Sequence, residues 1–167
     1  MQLKPVNKDI YQTRSRYSYI GISALLILFT LAWSTFFIAL FSIGSDNFYL
    51  NLMGVVAAVL SIVPVVLFCK TKPWFAEVIY VWELKQELNK INRKMAALST
   101  ATKHGDAIAF SIIKFSYLGS RQIWELDDNT LMLSELALSE QKLDELAQAQ
   151  GLVIDTSQYH QTQLAKY

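Results

Sequence analysis

Charged side chains are missing from two long stretches, residues 17–45 and 47–69, and only Asp46 separates them. The stretches are 29 and 23 residues long. Each exceeds the roughly 20 helical residues needed to cross a hydrocarbon core about 30 Å thick. A water-soluble fold of 167 residues has no interior large enough for both. The pattern therefore predicts two transmembrane helices, over residues 17–43 and 48–68. The turn between them, near 44–47, is so short that the helices must be antiparallel neighbours. The first stretch is too long for the apolar region of a leader peptide, roughly 7–15 residues, and no small-x-small cleavage motif accompanies it.

After residue 72 the pattern changes. Apolar residues recur at Trp74, Val78, Val81, Leu84, Leu88, Ile91, Met95 and Leu98, in steps of three and four. That is the stripe of an amphipathic helix. Thr71 is placed to cap this helix, and Pro73 suits its first turn. Glu83, Lys85, Glu87, Lys90, Arg93 and Lys94 fall on the other face, so one continuous helix is expected to about Ser99. Residues 100–105 read as a turn and Asp106 as the cap of another helix. That helix carries Ile108, Ile112, Phe115, Ile123 and Trp124, with a bend expected at Gly119-Ser120. An extended piece around Leu131 and Leu133 precedes a last helix, capped by Ser134 or Ser139 and stopped by Gly151. Residues 152–167, polar from Asp155 on and with three Gln, read as a disordered tail.

The expected fold is an all-α membrane protein: a two-helix transmembrane hairpin followed by a small cytoplasmic helical bundle. Its parts are an N-terminal segment 1–16, the hairpin 17–72, the helical domain 73–151 and the tail 152–167. Lys4, Lys8, Arg14 and Arg16 precede the first span, Lys70 and Lys72 follow the second, and the turn has no basic residue. The positive-inside rule then places both termini in the cytoplasm and the turn outside. Tyr17, Tyr19, Tyr49 and Trp74, with Lys70 and Lys72, mark the membrane interface. Gly54 and Ala58 form a small-xxx-small seam, which Ala57 with Ser61 and Thr35 with Ala39 extend. Pro64 withholds a backbone donor inside the second span and predicts a kink. Residues 70–105 carry seven basic and three acidic side chains, and residues 106–150 carry three and eight. Those opposite charges, +4 and −5, predict that the two segments pack together.

Candidate chemistry is sparse. Neither span holds an ionisable residue at its centre, where a proton relay or ion path would need one. His104 beside Asp106 reads as a turn, and one cysteine, Cys69, with two distant histidines cannot build a common zinc site. Glu125, Asp127 and Asp128 lack the alternating spacing of a calcium loop. No glycine-rich phosphate loop occurs. Basic residues near aromatics at 70–94 fit a bilayer better than nucleic acid. We therefore expect no catalytic residue, cofactor, metal or small-molecule substrate.

Residues 75–82 are too short to span and include Glu77, so this segment is read as the helix leaving the membrane at Trp74. Phe75, Ile79, Tyr80 and Trp82 lie beside the main stripe, more apolar width than two short helices would cover. With Trp124 they are the candidate partner-binding face, since Trp and Tyr are favoured in binding hot spots.

The segments PWFAEVIYVWELKQELNKINRK and QIWELDDNTLMLSEL, with the turn GSDNFYLNLMGV, resemble a family of small gammaproteobacterial inner-membrane proteins classed as a domain of unknown function. The resemblance covers about residues 1–152 and stops short of the tail. It implies two spans and a cytoplasmic helical domain, and no activity. The expected function is a non-enzymatic membrane-anchored interaction protein, or an accessory subunit of a larger inner-membrane assembly. Its partners would be the lipid bilayer and another membrane protein. Self-association through residues 74–98 is the alternative, and a small-ligand sensor or enzyme comes third.

Overall fold

The computed structural model describes every residue except Ile43, Ser45, Ser157 and Gln158. The end of the first expected span, part of the expected turn and part of the expected tail thus lie outside the described residues. Among the described residues the chain is helical and contains no strand. The α-helices are α1 (Lys8–Phe41), α2 (Phe48–Lys70), α3 (Ala76–Arg93), α4 (Met95–Lys103), α5 (Ala107–Leu126) and α6 (Leu133–Ala149). Short 3-10 segments occupy Pro73–Phe75 and Gln161–Lys166. The chain divides into two compact units: residues 9–79, and residues 1–8 with 80–167.

The first unit contains two helices long and apolar enough to cross a membrane, α1 and α2. The core helix of a soluble protein would be mostly buried. Here the most apolar stretch of α1 is 0% buried and that of α2 only 11%. The helices meet through a narrow seam. Gly54 and Ala58 are buried on α2. A Cβ added at Gly54 would lie 2.7 Å from the Ser34 backbone nitrogen and 2.8 Å from its Cα. Only glycine therefore permits this crossing. Beside it the Trp33 indole N–H donates to Ser61 Oγ at 3.0 Å, and Ser61 Oγ donates to the Ala57 carbonyl at 2.8 Å. The α1 side of the seam is thus Ser34 and Trp33, and Thr35 and Ala39 are exposed. Side-chain size suggested the latter pair, but their rotation around α1 turns them outward. Pro64 lies on the exposed side of α2, which stays helical through it.

The second unit is built around α5. Phe110, Ile112, Ile113, Phe115, Ile123 and Leu126 are buried along it. Val81, Leu84, Leu88 and Ile91 of α3, Leu98 of α4, and Leu136, Leu143 and Ala147 of α6 complete the core. The α3 stripe is thus largely internal. Asp106 caps α5, accepting from the backbone N–H of Ile108 at 3.0 Å and of Ala109 at 3.4 Å. Gly119 lies within α5, which runs unbroken through it. Its missing side chain admits α3: a Cβ there would lie 3.1 Å from Leu88 Cδ2 and 3.3 Å from Leu84 Cδ1.

Helix ends differ from expectation at several points. The helix expected to run from 73 to 99 is broken at Lys94, and helix resumes from Met95 to Lys103 through most of the expected turn. Gly105, at φ 79°, ends α4, with the N–H of Gly105 and Asp106 donating to the carbonyls of Thr102 and Ala101. Gly151, at φ 68°, ends α6 in the same way, its N–H and that of Leu152 donating to Gln148 and Ala147. This left-handed closure explains both stops. Thr71 does not cap the following turn; its hydroxyl donates back to the Phe68 carbonyl at 2.8 Å. The Leu131–Leu133 region is not extended: Leu133 opens α6 behind Met132, without a side-chain cap. Ser134 lies inside α6, and so does Ser139, which bonds to the Glu135 carbonyl.

The tail is the largest departure. Tyr159 is 1% exposed and Leu164 is buried. Residues 159–167, expected to be disordered, are held on the second unit by buried Tyr159 and Leu164 and by the contacts of Tyr159, Lys166 and Tyr167 with Glu87 and Asp106.

Candidate functional site

Helix α3 carries side chains on three sides of the second unit, and the chain's own termini cover two of them. On one side the Lys4 backbone N–H donates to Tyr80 Oη at 2.9 Å. The Tyr80 hydroxyl donates to Gln122 Oε1 at 2.9 Å, and Gln122 Nε2 donates to the Lys4 carbonyl at 2.6 Å. This closed ring straps residues 1–8 across α3 and α5. Burial raises the Tyr80 phenol above its ordinary pKa, although its hydrogen bonds to Lys4 and Gln122 pull the other way. Lys8 pairs with Asp128 in the same region.

On a second side the tail covers Glu87, which is 5% exposed. The Tyr159 hydroxyl donates to Glu87 Oε1, and Lys90 approaches Glu87 Oε2 at 3.2 Å. The Tyr159 ring stacks on Phe115, with centroids 4.2 Å apart and 26° between planes. Burial first, and then the Glu87 carboxylate, push the Tyr159 phenol far up. The tail is clasped again at its end. Lys166 Nζ donates to Asp106 Oδ2 at 2.6 Å and the Tyr167 hydroxyl to the same oxygen at 2.9 Å. Burial alone would raise the Asp106 carboxyl, but these bonds and the two capping N–H groups hold it below the usual range. The Tyr167 phenol is raised, by burial and then by Asp106.

Between α3 and the end of α5 lies an open cleft of about 390 Å³. Trp124, Ile123 and Leu88 form its apolar wall, with Asn89, Asn92 and Asn129 around them. Lys85 donates to Asp127 at 2.7 Å at its edge, an ion pair joining the basic and acidic segments. Two further pairs instead join α5 to α6: Lys114 with Asp144 at 2.6 Å, and Arg121 with Glu140 at 2.8 Å. Burial and then the Glu140 charge raise the nearby Tyr117 phenol.

The candidate partner-binding residues fall in different units. Phe75 and Ile79, both half-buried, belong to the hairpin unit, where Phe75 meets Trp74 edge to face at 4.6 Å. Tyr80, Trp82 and Trp124 belong to the helical unit. Tyr80 is taken up by the N-terminal strap, Trp124 is half-buried in the cleft wall, and Trp82 is 49% exposed. Tyr17, Tyr19, Tyr49, Trp74, Lys70 and Lys72 are all exposed. Glu87, Gln122 and Tyr159 were not singled out from sequence. A tyrosine in a polar tail and a glutamate on a polar helix face carry no periodic signal. Among the described residues, no cluster of three His, Cys, Asp or Glu side chains is placed to hold a metal.

The architecture defines an all-helical chain with two candidate membrane helices and a compact helical unit tied down by both termini. It belongs to the family described as protein of unknown function (DUF3087), whose model matches residues 1–164. The match runs through most of the tail, so the family pattern does not stop at Leu152 as the resemblance suggested. No curated protein and no solved structure matches the chain.

Proposed function

We propose that this chain is a non-enzymatic, membrane-anchored interaction protein, an accessory subunit of a bacterial inner-membrane assembly. In this reading α1 and α2 cross the bilayer as a hairpin and both termini are cytoplasmic, as the basic residues flanking the spans favour. The helical unit lies in the cytoplasm and docks a partner. The observation that carries the reading is Trp82. It remains 49% exposed on a helix whose neighbouring side chains Tyr80 and Glu87 are covered by the chain's own termini. A large aromatic at the surface suits a protein–protein contact, because Trp and Tyr are enriched in binding hot spots. The cleft wall at Trp124 offers a second anchor.

Self-association through residues 74–98 ranks lower. Val81, Leu84, Leu88, Ile91 and Leu98 are buried inside the helical unit, so a dimer formed through them would have to open that core.

Gentle detergent extraction of the tagged full chain from native membranes, followed by mass measurement, tests the proposal. The expected result is a complex heavier than the chain that Trp82→Ala dissolves while the chain stays folded. A bare monomer under the gentlest extraction, or a complex indifferent to Trp82→Ala and Trp124→Ala, would refute it.

A further inference from the structure

The hairpin unit, residues 9–79, concentrates its charge at one end. Asp9, Arg14 and Arg16 lie at the start of α1, and Lys70, Lys72 and Glu77 lie at or after the end of α2. Four cations and two anions leave +2 there, whereas the turn between the helices carries only Asp46. Arg14 and Arg16 precede Tyr17 by three residues and one, no more than about 5 Å along a helix axis. Lys70 directly follows the uncharged run that ends at Cys69. If the helices span, these side chains lie at the depth of lipid phosphates.

The collar has an aromatic frame. The Arg14 guanidinium lies over the Trp74 ring, 5.7 Å from its centroid, and pairs with Glu77. The Lys72 ammonium sits 4.3 Å from the Phe68 ring centroid. The side chains of Arg16, Lys70 and Lys72 are exposed.

We propose that Arg16, Lys70 and Lys72, beside Trp74, form a binding collar for the phosphate of anionic phospholipids. A zwitterionic headgroup brings its own ammonium, which cancels the attraction, so the net +2 end selects lipids with a net negative charge. The inference rests on the membrane-spanning reading above. A basic side chain near an anionic surface is worth about 1 kcal/mol, or roughly fivefold in affinity. Three such side chains together give about a hundredfold preference.

The test uses the full chain in nanodiscs of phosphatidylcholine with a minority of phosphatidylglycerol. Native mass spectrometry counts the lipids retained after mild delipidation. The chain should retain phosphatidylglycerol in preference to phosphatidylcholine. Each of Arg16→Gln, Lys70→Gln and Lys72→Gln should lower that preference about fivefold, and the triple variant should abolish it. Equal retention of both lipids, or a triple variant that behaves as the parent, overturns the collar. Displacement of the lipid by inorganic phosphate at matched concentration overturns the headgroup assignment. Resistance to alkaline extraction from the same lipids reports separately on spanning. A chain that resists extraction yet shows no lipid preference refutes the collar alone.

Discussion

Replacing Tyr159 with Phe isolates the contact that holds the tail. The substitution keeps the ring stacked on Phe115 and deletes the hydroxyl that donates to Glu87. Glu87 is 5% exposed, so the lost donor is not replaced by bulk water. A buried hydrogen bond to a charged group is worth about 1.5–3 kcal/mol. Lys90 still approaches the other carboxylate oxygen at 3.2 Å, which favours the lower part of that range, about 2 kcal/mol. Tyr159→Ala also removes the stack and leaves a cavity, and should cost about 3–5 kcal/mol. Urea unfolding of the full chain in detergent, followed by tryptophan fluorescence, measures both. With a slope of about 1–3 kcal/mol per molar urea, Tyr159→Phe should move the midpoint down by about 1 M. A double-mutant cycle with Glu87→Gln should return a coupling of at least about 1 kcal/mol. A Tyr159→Phe midpoint equal to the parent's, with unchanged amide protection in residues 159–167, would refute the account of the tail.

Alkaline pH should loosen the tail. Tyr159 and Tyr167 have raised folded-state values, so their stabilisation is complete below the unfolded value near 10 and declines as pH rises further. The urea midpoint should fall above about pH 10, less steeply in Tyr159→Phe. Asp106 has the opposite sign: its lowered value makes its contribution full above about pH 4 and lost as pH falls through the folded value. Hydrogen exchange should therefore show the tail opening in acid before the core, and Asp106→Ala should cost at least about 1 kcal/mol for the cap alone. Gly54→Val should splay the hairpin, because even its Cβ meets Ser34 backbone at 2.7 Å, whereas Gly21→Ala, with nothing within 4 Å, should be neutral. Cysteine cross-linking between α1 and α2 reads that difference. Gly119→Val should destabilise the helical unit by about 1–3 kcal/mol through overpacking against Leu84 and Leu88, measured by the same urea titration.

Sequence alone determined what depends on neighbours a few residues apart. Two uncharged runs established the apolar helices, the three-and-four spacing established the buried stripe from Val81 to Leu98, and Asp106 and Gly151 marked helix ends. Each signal is local: hydrophobic period, an unsatisfied N–H that needs a cap, a backbone angle that favours glycine. Tertiary structure decided what joins distant segments. Glu87 meets Tyr159 72 residues away, and Gln122 meets Lys4 118 residues away. Neither contact leaves a periodic trace, because each joins single side chains from segments far apart in sequence. The same holds for Ser34. Its role is set by the rotation at which α1 crosses Gly54, and no spacing within either helix encodes that angle. The faces of α3 show the result most clearly. Their residue types were legible in order, but which of them the chain covers was decided only when both termini came to rest on the second unit.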